Sequence, residues 1–198
     1  EKGRVTVAGY SDDVRAVSEK ETRAVAAMPS FDAQLKRELG LGNNEIPGER
    51  LESAIMRPAI VVRGISGGGV GPEARNIIEP TAQASLNLRL VPGQKPEALL
   101  AALKAHFEKI GMTVSSEGPD AGAAREQHLQ MVPRPGGYRS FRTSIDADVV
   151  GDLKVILDRL GDQETLITPT MGGSLPIYLF EDNLCLLYTS PSPRDGDE

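Results

Sequence analysis

Two histidines, a single cysteine, a glycine-rich run and one arginine on a polar strand face are where this chain could do chemistry. A two-metal hydrolytic centre needs several imidazoles and carboxylates held together. Only His106 and His128 are present, with no His-x-Asp and no Glu-Glu pair, so no metal ligand and no catalytic residue is assigned within these residues. His106 is expected on a helix surface and His128 in an irregular segment. Serines are plentiful, but none is read as a nucleophile elbow: Ser66 has Gly64 and Gly68 two places on either side yet is followed by a glycine-rich loop and a strand, not the helix an elbow needs, and Gly173-Ser174-Leu175 lacks the following glycine. The run at 64–71 has neither the Gly-Lys-Ser/Thr end of a phosphate loop nor a Gly-x-Gly-x-x-Gly spacing. Two features stay open. Arg89, beside Asn87, is either a solvated arginine or a fixed guanidinium suited to bidentate capture of a carboxylate. Gly172-Gly173-Ser174 is either a tight turn or a backbone that lets a ligand approach its amides.

The elements that must position these residues are legible from periodicity and punctuation. Residues 5–10 read as a short strand running into a turn at 11–13. Ser18 and Glu21 have capping-box spacing, so a helix is expected to Met28, stopped by Pro29. A second helix is expected over 31–39, ending at Gly40, then a loop over 40–48 and one or two helical turns over 49–56. Residues 59–65 are β-branched and predict a strand. From 81 to 91 the chain alternates, with Ala82, Ala84, Leu86, Leu88 and Leu90 on one face, which predicts a strand with one buried face. Pro96 opens a helix whose stripe is Leu99, Leu100, Leu103, Phe107 and Ile110, capped by Gly111. Residues 112–116 read as a strand, 118–137 as loop, 146–160 as a helix facing a core, 165–168 as a short strand and 171–176 as a turn. An apolar run resumes at 177–180. The succession predicts an α+β fold, an antiparallel sheet with helices on one face.

Composition narrows the function further. The net charge of −6 comes without a Lys/Arg stripe, so nucleic acid is an unfavoured partner. No apolar run approaches the roughly 18 residues that span a membrane, and no membrane partner is expected; a cytoplasmic location is. The lone cysteine, Cys185, cannot form a disulfide framework. Without Trp, and with few other aromatics, base stacking is also disfavoured.

Three stretches carry a resemblance. Arg57-Pro-Ala-Ile-Val-Val-Arg-Gly-Ile-Ser-Gly-Gly-Gly, Asn76-Ile-Ile-Glu-Pro and Ala84-Ser-Leu-Asn-Leu-Arg-Leu-Val-Pro-Gly-Gln resemble the lid or dimerisation domain of a zinc-dependent metallopeptidase and amidohydrolase family. That family includes carnosinase, cytosolic non-specific dipeptidases, aminoacylase, acetylornithine deacetylase and succinyl-diaminopimelate desuccinylase. Thr168-Pro-Thr-Met-Gly-Gly-Ser-Leu-Pro-Ile-Tyr is similar to the segment where that family's chain returns to its catalytic domain, and Gly9-Tyr10-Ser11-Asp12-Asp13-Val14-Arg15 to a connector of its dipeptidase-like branch. The resemblance implies a ferredoxin-like lid, here incomplete, inserted into a catalytic domain with two zinc or similar divalent ions. It also implies a homodimer through the lid and cleavage of an amide next to a free carboxylate, in a small peptide or N-acyl-amino acid. Arg89 would grip that carboxylate; Gly172, Gly173 and Ser174 would line the pocket; Asn76 would approach the substrate. Two departures stand out: no histidine precedes the helix expected at 146, and Glu79 occupies the usual place of Pro80.

The tail from Cys185 onward matches one reading frame of a transposase-type sequencing adapter, and the front begins without Met. The expected organisation is therefore a connector with short helices (1–56), an incomplete lid (57–118), a connecting loop (119–145), the start of the returning catalytic segment (146–184) and non-native read-through (185–198). On this reading the metal ligands and the glutamate base lie outside the sequence, and the chain by itself is inactive. The alternative expectation is a non-enzymatic ferredoxin-like module for dimerisation or amino-acid sensing, which an intact four-stranded sheet would favour.

Overall fold

The computed structural model describes residues 3–119, 127–173 and 175–184; Ser174 and the tail expected to be read-through lie outside them. In chain order the elements are α1 (Glu19–Ala27), α2 (Asp32–Leu39), α3 (Leu51–Ala54), β1 (Ala59–Ser66), a 3-10 turn (Gly71–Glu73), β2 (Gln83–Arg89), α4 (Pro96–Lys109), β3 (Thr113–Ser115), β4 (His128–Gln130), α5 (Asp148–Leu160) and α6 (Tyr178–Leu184). The class is α+β.

The helix ends obey local chemistry. Ser18 Oγ accepts from the Glu21 amide at 3.1 Å while Glu21 Oε2 accepts from the Ser18 amide at 2.8 Å, satisfying two orphan donors at the start of α1. Gly40 closes α2 in the left-handed region at φ 65°, where a side chain would be strained. Pro96 sits in the first turn of α4, where no amide hydrogen is needed.

β1 and β2 form an antiparallel ladder in which Ile60 pairs with Leu88 and Val62 with Leu86. The register shifts between Val62 and Gly64, so that Ile65 pairs with Ala84. Directly paired residues share a face. In a regular ladder that included Arg63, Ile65 would point to the other side; the bulge at Arg63 keeps it on the face of Ile60 and Val62. The apolar alternation of β2 is therefore matched along the whole of β1. That face is not buried within this chain, contrary to the expectation for residues 81–91: Val62 is 55% exposed, Ile65 76% and Leu86 39%. No described helix covers the distal hairpin.

Other expectations are corrected by specific hydrogen bonds. No strand forms over residues 5–10; residues 8–10 turn, with the Tyr10 amide donating to Val7 O at 3.1 Å and the Tyr10 ring fully buried. Residues 165–168 are not a strand, since the Thr165 amide donates to Asp158 Oδ1 at 2.7 Å and ties the segment to the end of α5. The expected loop over 118–137 contains β4, which pairs with β3 in parallel; β3 does not join the antiparallel pair. The described residues thus hold two separate two-stranded sheets, not the four-stranded one that would favour a self-sufficient module. α5 has no buried residue, with Ile156 50% and Leu160 80% exposed, so its apolar stripe meets no core in this chain.

What is buried is small and polar at its centre. Tyr10, Val91, Leu99, Leu103, Val25 and Met56 are the buried apolar residues among those described. Gln94, only 1% exposed, accepts from the Val91 amide at 3.0 Å and donates to Tyr10 O at 2.6 Å. Tyr10 donates its hydroxyl hydrogen to Ala59 O at 3.2 Å, and the Arg15 amide donates to Pro92 O at 3.0 Å. Burial pushes the Tyr10 phenol up. Residues 7–15 are thereby clamped onto the turn between β2 and α4. Gly93, at φ +97°, belongs to the same clamp, because a Cβ there would overlap the Asp13 carbonyl oxygen.

Candidate functional site

Gly172 lines a cleft of about 290 Å³ between the α1–α3 segment and residues 168–172. One wall consists of Val25 of α1, Met28 and Phe31 after it, and Glu52 and Ile55 at α3; the other is Thr168, Pro169, Thr170, Met171 and Gly172. The first wall is stitched by polar contacts. Arg50 donates to Met28 O at 2.8 Å and Pro29 O at 3.1 Å and pairs with Glu52 at 3.3 Å. Asp32, at the start of α2, accepts from the Leu51 amide at 3.2 Å and from Asn44 at 3.2 Å. Glu49, just before α3, and Arg57, between α3 and β1, form a bidentate pair. That hydrogen bond, more than any other influence, holds the Glu49 carboxyl below its usual range and the Arg57 guanidinium above its own.

Gly172 and Gly173 are exposed. Neither has a positive φ, and a Cβ on either would meet nothing within 4 Å. Nothing among the described residues crowds either position. The other sequence-derived candidates lie elsewhere. Arg89 ends β2 opposite Ala59, exposed and without a hydrogen bond or ion pair among the described residues. Asn76 is exposed on the hairpin loop, flanked by Arg75 and Ile77, which line a second cleft of about 420 Å³ together with Gly67, Gly68 and Glu79. The two clefts separate the candidates: Gly172 borders one, the segment around Asn76 the other, and Arg89 neither. Ser174 lies outside the described residues.

The histidines do not meet the requirements of a metal centre. His106 stacks edge-on against Phe107 at 5.8 Å between ring centroids. His128 Nε2 lies 3.0 Å from Ser115 Oγ and 3.2 Å from Glu117 O. Among the described residues no three His, Cys, Asp or Glu side chains group to hold a metal ion.

Two features escaped sequence reasoning. The cleft wall from Val25 to Ile55 lies in a segment read only as a connector; Phe31 after Pro29, and Ile55, are apolar residues that offered a signal. The second is a buried charge cluster. Glu21, with its side chain 3% exposed, meets Arg15 at 2.9 Å and Arg142 at 3.1 Å. The Arg142 Nε lacks an in-line hydrogen bond despite that close ion pair; the charge contact stands, but its N–H is poorly aimed. Burial pulls the Arg142 guanidinium down, Glu21 opposes this, and Arg15 adds to the lowering. The capping box marked Glu21, but nothing local pointed to Arg142.

With the geometry described, the chain can be compared with known proteins. A family model described as "Peptidase dimerisation domain" matches residues 12–113, just over half of the chain. This chain belongs to the peptidase dimerisation domain family. Among solved structures, it is similar to an M20 family metallo-carboxypeptidase, Sso-CP2 from Sulfolobus solfataricus, at 26% identity and TM-score 0.71, covering 92% of this chain and 39% of that one. It also shares the fold of human carnosine dipeptidase 1, at 18% identity and TM-score 0.59, covering 91% of this chain and 37% of that one. No curated protein sequence matches it. The chain thus spans about two-fifths of the length of these solved relatives. No helix among the described residues is long and apolar enough to cross a membrane.

Proposed function

We propose that this dimerisation-domain chain is part of a metal-dependent exopeptidase or amidohydrolase that cleaves an amide bond next to a free carboxylate. The substrate is a small peptide or N-acyl-amino acid, and the protein is cytoplasmic. The observation that carries the reading is the pair Gly172 and Gly173. Gly172 borders a cleft, and both take ordinary backbone angles with open space where a side chain would go, so a ligand can approach their amides closely. Ser174 follows them in sequence. Arg89, unpaired among the described residues, supplies a guanidinium for the substrate carboxylate, and Asn76 a polar contact from the hairpin. The catalytic ions, two zinc or similar, and the glutamate base belong to other parts of the whole protein. By domain, 57–118 is the lid and 146–184 the beginning of the returning catalytic segment.

The homodimer of this reading forms through the apolar face of β1 and β2. Exposed apolar area of this kind marks interaction surfaces, and an isolated two-stranded hairpin is marginal in water. A stand-alone sensing module is not favoured by the two separate sheets.

The test is recovery of the gene from its source DNA by long reads, followed by assay of the encoded protein and of the 198-residue chain on dipeptides and N-acetyl-amino acids. The reading expects a His-x-Asp and a Glu-Glu pair upstream, a histidine shortly after residue 184, hydrolysis by the encoded protein and none by the chain alone. A gene that starts just before Glu1 and stops after Glu198 would sink it, and so would hydrolysis by the chain alone.

A further inference from the structure

We infer that the cleft beside Gly172 is a specificity pocket for the apolar side chain of the amino acid that the Gly172 amide holds, an inference that rests on the free-carboxylate reading of the substrate proposed above. Its volume of about 290 Å³ lies at the lower edge of small-molecule sites, roughly 300–1,000 Å³, the size for one amino acid and not for a long peptide. Met28, Phe31, Ile55 and Met171 give it apolar walls, and two of these are methionines, whose unbranched thioethers adapt to different aliphatic shapes.

The cleft is built as well as apolar. Arg50 binds the carbonyls that follow α1, and Asp32 binds the first amide of α3, so the wall is held in place before any ligand arrives, which reduces the ordering cost of binding. Its one acidic side chain, Glu52, is 15% exposed and paired with Arg50 at 3.3 Å. A second carboxylate brought into that low-polarity space would be repelled. The pocket therefore selects leucine-like and methionine-like side chains, tolerates glycine weakly and rejects aspartate and glutamate.

The chain reports on this directly, because it has five methionines: Met28 and Met171 line the cleft, and Met56, Met112 and Met131 serve as internal controls. The 198-residue chain, labelled with 13C at methionine methyls and 15N at amides, is titrated with N-acetyl-L-leucine, N-acetylglycine, N-acetyl-L-aspartate and N-acetyl-L-leucinamide. Saturable shifts at Met28 and Met171 with N-acetyl-L-leucine are expected, at an affinity about tenfold or more above that for N-acetylglycine, with N-acetyl-L-aspartate weakest. Phe31→Ala and Ile55→Ser, both at half-exposed positions, should remove the leucine preference while the amide spectrum stays folded. If Met28 and Met171 do not respond, or respond equally to leucine and glycine derivatives, the specificity pocket is overturned; Gly172 and Gly173 amide shifts with N-acetylglycine would then leave the carboxylate reading standing. If the leucinamide binds as well as the acid, the pocket stands and the carboxylate reading falls.

Discussion

Replacing Gln94 by Met tests whether the clamp between residues 7–15 and the β2–α4 turn holds the fold together. Gln94 is 1% exposed and uses both ends of its amide, accepting from Val91 N and donating to Tyr10 O. Methionine has a similar length and no polar end, so the change leaves a buried N–H and a buried carbonyl without partners. Each such group costs roughly 1–3 kcal/mol, and the two together about 4 kcal/mol. For a chain of this size each kcal/mol moves the melting midpoint by about 2–4 °C, so Tm should fall by roughly 8–16 °C. Thermal unfolding followed by far-ultraviolet circular dichroism reads this. Gln34→Met is the control, the same chemical change at an exposed amide that bonds only Glu38, and should move Tm by no more than about 1–2 °C. A Gln94→Met midpoint within about 3 °C of the parent would refute the clamp as a source of stability.

Four further outcomes are expected. Gly93→Ala forces a side chain into a positive-φ position and onto the Asp13 carbonyl; it should cost at least about 1–3 kcal/mol in urea unfolding, whereas Gly172→Ala, with open space around it, should stay within about 0.5 kcal/mol and lose N-acetylglycine binding. Glu21→Gln leaves Arg142 buried without its counter-charge and should destabilise by about 3–5 kcal/mol, measured the same way; a change below 1 kcal/mol would mean the cluster is already solvated. Asp158 is held down to about 2 by its hydrogen bond to Lys154 and by the Thr165 amide. Because its folded pKa is depressed, the tether of residue 165 to α5 is intact above the ordinary value of 3.8 and is lost as pH falls through about 2; carboxyl NMR of Asp158 should give that midpoint, and Asp158→Asn should abolish the transition. Ile65→Glu on the exposed hairpin face should abolish concentration-dependent association in sedimentation velocity without lowering Tm.

Local punctuation was the readable part of this sequence. The Ser18–Glu21 box, Gly40, Pro96 and the alternation over 81–91 act through neighbouring atoms, so their consequences appear within a few residues of their cause. The destination of each apolar face was not readable. The stripe of α5 and the even-numbered residues of β2 have the pattern of core residues, yet Leu160 and Leu86 stay exposed, since periodicity says that a face is apolar but not what covers it. Residues 5–10 are extended by composition, yet 8–10 turn, because Tyr10 gains more from burial against distant partners, Ala59 and Gln94, than from a strand with nothing to pair. β4 is only three residues long and pairs in parallel with a strand across the intervening chain, a long-range choice with little local trace. The family resemblance singled out Gly172 and Gly173, of which Gly172 borders the cleft, but the wall from Met28 to Ile55 required the helices to be folded back before it could be seen.

The register shift at Arg63 has a consequence for how the hairpin can evolve or be engineered. A strand alternates between its two sides, so one inserted residue acts as a parity switch for everything beyond it. With Arg63 bulged out of the ladder, Ile60, Val62 and Ile65 are adhesive on a single side and the opposite side stays wettable. Deleting Arg63 would straighten the strand and leave Ile65 on its side, but drawing Arg63 into a regular ladder would keep every side chain and send Ile65 to the far side. The hairpin would then carry two half-strength adhesive surfaces, neither matched to a mate that presents the original one, and indiscriminate stacking would replace selective pairing.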